Sequence, residues 1–510
     1  MKTRRPLTLA VLALLLAFWM SAAFCTPYSA IDDLQWGLEE GLHWWLEAIP
    51  NGRYAGNMFS VVLCRWPAAK LLIMGPSMFL IPTLAAWLAV RGNRRGFLPA
   101  LLFCHAAVLT VPLGMWQTIY GWVAGFSIYG LSTLFFLIWL LALRRAEEER
   151  SRPWLWAVPL FSLTLALGMF VENLTLLLLG ACLILAFCSL GDRALRPPFL
   201  ACLLGAVLAA IPMLFNGVVL EVLDSGSAIQ HMRELSFSPE EGLAAALAQI
   251  AGQYFTQLLP FPLSSGLCAV LPLALLTACA YWNGPLRPLS MLGVLPLIFS
   301  LLAVQAGSWE APGLPVLAVL CWLTPVPALL VQRESWRIRW GRLLLYLSAP
   351  LSLLPLALTT TTGFRVSFFP VVMLIAAAAD SALPLLRRPA SAALSAAGLA
   401  LLLLLWSGLL TRNLACTQLR EQLIQEAIQT GQDTLYLPTG LSRYETCYPR
   451  NPWFDETADA FRRFYRLPEG ITLVVLWGGS FEAWPDIPPE IWENRVAYLP
   501  YVDFEPLLPY

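Results

Sequence analysis

The sequence predicts an all-α polytopic membrane protein of about thirteen transmembrane helices, with a small α/β tail on the non-cytoplasmic side. Three observations carry this: too little charge for a soluble protein, apolar runs of membrane-crossing length, and basic residues confined to alternate loops. Only 13% of the 510 residues are charged and 58% are hydrophobic. A soluble domain carries about 25% charged residues, so this chain lacks the polar surface to cover a water-soluble globule of its size. Its 21 tryptophans suit a membrane–water interface, where one edge of the ring is dry and the other wet.

The apolar runs lie near residues 6–25, 70–90, 97–113, 125–143, 153–171, 173–190, 199–215, 264–282, 289–304, 313–331, 343–359, 366–386 and 390–411. About 17–25 helical residues cross ~30 Å of hydrocarbon, and only 289–304 is marginal. The first run follows Lys2-Thr3-Arg4-Arg5 and precedes no small-residue cleavage site, so it is expected to stay as an uncleaved helix. With the runs alternating, loops 1–5, 91–96, 144–152, 191–198, 283–288, 332–342 and 387–389 hold nineteen Lys and Arg. The short opposite loops 26–57, 216–263, 305–312 and 360–365 hold Arg53, Arg233 and Arg365 alone. Basic loops stay in the cytoplasm, which puts the N-terminus inside and the C-terminus in the periplasm or outside, with the protein in the cytoplasmic (inner) membrane. The expected division is a transmembrane domain, 1–411, with outer loops 26–69 and 216–263, and a non-cytoplasmic domain, 412–510. Segment 58–69, with Arg65 and Lys70 at its end, reads as an interfacial amphipathic helix.

Composition also excludes. A net charge of zero provides no basic field for nucleic acid. No phosphate-binding Gly-rich loop with its Lys is present, and the inner loops are too short for a catalytic domain. No internal repeat stands out, which weakens a secondary-transporter reading. The eleven cysteines show no metal spacing, and His43, His105 and His231 form no ligand motif. No cofactor is expected; a divalent metal stays open but has no motif. Cys416 and Cys447 both fall in the tail, where an oxidising compartment permits a disulfide. Asp380 lies toward the inner end of its run and is expected to pair with Arg387 or Arg388.

Chemistry is therefore expected on the outer face. Asp32 and Asp33 sit just past the first helix, facing different ways. One of them could serve as general base toward a hydroxyl, its pKa raised beside the dry membrane; the plainer role is to cap a helix at Leu34. Arg53 and Tyr54 follow in the same loop. The turn Gly114–Tyr129 alternates aromatics, glycines and small polar residues. Trp116, Tyr120 and Tyr129 read either as an interfacial belt or as a platform for a sugar or polyprenyl chain. Glu172 and Asn173 interrupt a long apolar stretch, where a carboxylate is costly unless it caps or faces a polar cavity. Arg365, in a polar turn, could clamp a phosphate through paired N–H donors or snorkel to the surface. Arg233 is an alternative in the loop with His231. The amphipathic stretch around 240–256 could lie on the membrane and line a lipid path.

Together, Asp32-Asp33, Asn51-Gly52-Arg53-Tyr54, the Trp116–Tyr129 turn, Glu172-Asn173, Arg365 and the tail segment Arg462-Arg463-Phe464-Tyr465-Arg466-Leu467-Pro468-Glu469-Gly470-Ile471 resemble a bacterial family of multi-spanning proteins. That family is grouped with the GT-C glycosyltransferases, which use polyprenyl-phosphate sugars. The resemblance implies a catalytic acid in the first outer loop, here Asp32 or Asp33, with Glu172 next. It implies a basic residue for the donor phosphate, Arg365, or else Arg53 or Arg233. The partners it implies are a polyprenyl-phosphate-linked sugar, membrane lipid and an envelope glycan acceptor. A polymerase of lipid-linked sugars and a transporter or flippase are the competing readings.

Overall fold

In lipid a backbone must satisfy its own N–H and C=O groups, and helices do so. The computed structural model is accordingly mostly helical. It describes residues 4–29, 32–46, 51–225, 227–228, 233–237, 241–264, 266–332, 334–359, 363–438, 446–447 and 455–476. Helix α1 (Arg4–Cys25) leads to a loop holding α2 (Asp33–Gly37), α3 (Glu39–Leu46) and α4 (Tyr54–Arg65). Then come α5 (Pro67–Val90), α6 (Phe97–Leu109), α7 (Leu113–Ile119), α8 (Val123–Glu148), α9 (Pro153–Gly168), α10 (Glu172–Cys188) and α11 (Arg196–Leu214). A second loop holds α12 (Gly217–Ser225) and the hairpin β1 (Ser227–Ala228) and β2 (Arg233–Glu234). The bundle continues with α13 (Leu243–Ser264), α14 (Leu267–Trp282), α15 (Arg287–Ala306), α16 (Leu314–Leu330), α17 (Ile338–Leu358), α18 (Phe364–Leu386) and α19 (Pro389–Thr430).

Among the described residues, eight helices are long and apolar enough to cross a membrane, or ten if each of two bent pairs is one span. Helices α9, α10 and α16 are apolar but shorter. The chain is thus an all-α protein built for a membrane. Its hub is α18, whose apolar window is 94% buried beneath α5, α6, α14 and α17. The run Ala376-Ala377-Ala378-Ala379 lets those neighbours approach closely.

Loops that alternate along the sequence gather at two ends. At one, the Ala55 N–H donates to Met169 O at 3.1 Å, and the Ser236 N–H to Leu358 O at 3.1 Å. At the other, Arg150 pairs with Asp192 at 2.9 Å. There Asp380 of α18 is held by Arg342 of α17 at 2.8 Å and by Arg91 at the end of α5. This corrects the expected pairing with Arg387 or Arg388: the acid faces inward to α5 and α17, where a buried carboxylate needs a counter-charge.

Three expected spans differ in detail. The 97–113 run breaks, and α6 and α7 meet at 96°, because Pro112 lacks an N–H to continue the helix. The start of the 264–282 run breaks likewise: α13 and α14 meet at 99° around Gly266, whose φ of +109° suits glycine. The last run does not stop at 411. Helix α19 runs on to Thr430, 42 residues in all, about 63 Å at 1.5 Å per residue. Its extension buries Asn413, Cys416, Arg420, Ile424 and Ala427 at helical spacing, so the 411/412 boundary falls inside a helix. Beyond it, β3 (Thr434–Pro438) pairs in parallel with β4 (Thr472–Leu476), with α20 (Asp455–Tyr465) between them in sequence. Cys416 and Cys447 are buried and not joined in a disulfide.

Candidate functional site

The first loop supplies the two carboxylates, and the fold separates their roles. Asp33 is fully buried. Its Oδ2 accepts the N–H of Ser29 at 2.7 Å and of Val123 at 3.3 Å, and its Oδ1 accepts that of Ala124 at 2.7 Å. The Cys64 thiol lies 3.7 Å from Oδ1. Val123 and Ala124 open α8, and the first N–H groups of a helix have no partner within it. Asp33 therefore caps α8 from a distant part of the chain, tying the first loop to the bundle. The capping role foreseen at Leu34 falls instead on another helix, for Asp32 makes no cap to its own.

Asp32 is only half-buried, and Trp122 Nε1 donates to its Oδ1 at 2.7 Å. Burial and then the neighbouring Asp33 charge push Asp32 up to about 7, against the pull of Trp122 and Arg365. Burial raises Asp33 to about 6, and the N–H groups of Ser29, Ala124 and Val123 draw it back. With three N–H donors against the single indole of Trp122, Asp33 holds the charge more readily than Asp32.

Arg365 opens α18 with its guanidinium 5.7 Å from the Trp122 ring and 5.9 Å from the Tyr129 ring. Tyr129 lies in a π-helical turn of α8, Phe126–Gly130, and its hydroxyl also interacts with Arg53. Nε and Nη2 of Arg53 donate to both oxygens of Glu172 at 2.9–3.2 Å. Burial works against the Arg53 charge, but Glu172 and Tyr129 outweigh it and raise its pKa. A continuous run of contacts therefore joins Asp32, Trp122, Arg365, Tyr129, Arg53 and Glu172. Arg53 and Glu172 spend their charges on each other, which leaves Arg365 as the cation beside Asp32. Fully buried pairs lose about 3–5 kcal/mol when one partner is removed. Exposures of 14% and 20% here bring the expected cost of Glu172→Gln nearer ~2 kcal/mol. A fall in the melting temperature of the purified protein, recovered when Arg53 is changed to Met as well, is the expected result.

The remaining candidates divide. Asn173 is buried, its Nδ2 donating to Ser352 O at 3.1 Å. Tyr54 starts α4, where its carbonyl accepts the Trp45 Nε1 at 3.0 Å. Arg233 lies in β2 opposite Ala228, its side chain outside the described structure, as is His231. Trp116 and Tyr120 are not a platform. They are 1% and 0% exposed, and Trp116 is stacked 3.8 Å from Trp406 and 5.9 Å from Trp19. Four apart, on the short α7 and at its C-terminal cap, they face one side, and Trp19 of α1, Phe368 of α18 and Trp406 of α19 cover it.

Two participants were not foreseen. Trp122 orients Asp32; its signal was an indole directly before a helix start. Lys70 donates to the Thr26 carbonyl and lies 4.7 Å from the Tyr28 ring, within reach of the Asp33 charge. One of only two lysines in the chain, it stood out by type alone. Against family models, curated proteins and solved structures, the chain finds no match.

Proposed function

We propose that the chain is a membrane glycosyltransferase of GT-C type, moving a sugar from a polyprenyl-phosphate donor to a cell-envelope glycan or lipid on the outer face of the inner membrane. The observation that carries this reading is Asp32: a half-buried carboxylate held by the Trp122 indole, raised by burial to about 7, with Arg365 beside it. In the proposed reaction the acceptor hydroxyl attacks the anomeric carbon and gives its proton to Asp32. The bond from that carbon to the lipid phosphate breaks, and its electron pair stays on the phosphate oxygen. Arg365 offsets that charge with its planar set of donors, and the anomeric centre inverts. Asp33 and Trp122 position the base. Glu172 belongs to the pair that braces Arg53, rather than to the proton transfer.

The same reading counts thirteen crossings: the eight long helices, the two bent pairs and the three shorter apolar helices. An odd number, with basic loops inside, sets the tail across the membrane from the N-terminus. Alkaline phosphatase fused at Gly431 is expected to be active and at Arg145 inactive; the reverse pattern defeats this topology. For the reaction, deletion of the gene should remove one sugar from an envelope polymer, read by mass. Unchanged glycans together with altered movement of a lipid-linked sugar would favour the transporter instead.

A further inference from the structure

The C-terminal segment was expected to be a separate outer domain, yet its residues are built into the first loop. Its small apolar cluster, formed by Ile424, Ala427, Leu435, Leu437, Phe461 and Ile471, includes Leu34 of α2, the residue directly after Asp33. The Phe464 ring of α20 meets the Tyr28 ring edge-on at 5.7 Å. A Cβ placed on Gly37 would stand 3.0 Å from Phe464 and 3.0 Å from the Cys64 carbonyl, so that glycine is what lets the loop and α20 close on each other. Arg463 pairs with Glu40 of α3. At the turn before Trp122, Gly121 abuts the Thr446 carbonyl so closely that a Cβ there would overlap it. Thr446 is in turn held at 3.0 Å by Asn413 of α19. The segment therefore grips both chain pieces that meet at Asp33: the loop bearing Asp32 and the turn bearing Trp122.

We infer that the C-terminal segment is a brace for the carboxylate pair, with Phe464 and Thr446 as its positioning contacts. Leu34 and Gly121 each lie one residue from a member of the Asp33 and Trp122 unit, so movement of the brace is passed to Asp32 through that unit. The consequence for chemistry rests on Asp32 being the working base; the brace itself does not.

The test uses the full chain in lipid nanodiscs and reads amide exchange at Val123 and Ala124, whose N–H groups bond to Asp33. Phe464→Ala acts on the brace's contact with the loop and Gly121→Ala on its contact with the turn. Each is expected to speed exchange at these two amides by about tenfold, and Phe464→Leu should restore most of the protection. Exchange in the opposite-end loop around Asp192 serves as the control for general unfolding and should not change. Unaltered protection at Val123 and Ala124 in both variants would overturn the brace, as would equal loosening at both ends. A second readout separates the brace from the reaction. In Phe464→Ala the pH profile of sugar transfer should shift as the Asp32 environment loosens. Loosened amides with an unmoved profile would keep the brace and count against Asp32 as the base.

Discussion

Asp32→Asn is expected to lower sugar transfer by about 10²- to 10⁴-fold, the range for losing a general base, while the protein still inserts. The change preserves shape, and the amide can still accept the Trp122 N–H, but it takes up no proton. In the wild type the rate should rise with pH through about 7, since Asp32 is raised to that value by burial and by Asp33 and acts when ionised. The sign for stability is opposite. A carboxyl raised from 3.8 contributes stability that is fully present below its unfolded value and lost as pH rises through the folded one. Arg365→Lys should also be poorly tolerated, because an ammonium cannot present the planar fork to a phosphate. Measuring the envelope polymer by mass across pH checks all three. Full modification by Asp32→Asn would remove the carboxylate from the mechanism.

Asp33→Ala should instead damage the fold. It leaves the buried N–H groups of Ser29, Val123 and Ala124 without their acceptor, and each such group costs about 1–3 kcal/mol. A loss of on the order of 3 kcal/mol or more is expected, seen as a lowered melting temperature and reduced yield. Asp33→Asn keeps one acceptor oxygen and should lose less. By removing the adjacent charge it should also move the Asp32 limb of the pH profile to lower values. On the proposed function the two neighbouring acids are thus expected to differ in what their loss breaks: one the rate, the other the folded chain.

Hydropathy made the bundle legible, because lipid demands a helix wherever an apolar run crosses it. It did not reveal where runs bend, since Pro112 and Gly266 act through local geometry that an average over twenty residues conceals. Nor did it follow α19 past 411, where apolar content ends but Asn413, Cys416, Arg420, Ile424 and Ala427 keep the helical spacing of a buried face. Residue type alone singled out Asp32, Arg365, Tyr129, Arg53 and Glu172, which Trp122 joins into one run of contacts. Their division of labour was not legible, because it depends on which N–H groups reach which oxygen. Trp116 and Tyr120 were misread for a related reason. Composition cannot tell an aromatic belt from an aromatic core, and only the turn at Pro112 carries them inside.

The pairing of Asp380 with Arg91 spans 289 residues of sequence, and that has a consequence for biosynthesis. At about 5–20 residues per second, Arg91 leaves the ribosome roughly 15–60 s before its partner exists. Arg342 waits far less, since it precedes Asp380 by only 38 residues. Helices α17 and α18 can therefore enter the bilayer as a hairpin whose charges already cancel. Helix α5 must hold its arginine at the membrane–water boundary until that hairpin arrives, so the N-terminal helices are made well before the hub that they pack against.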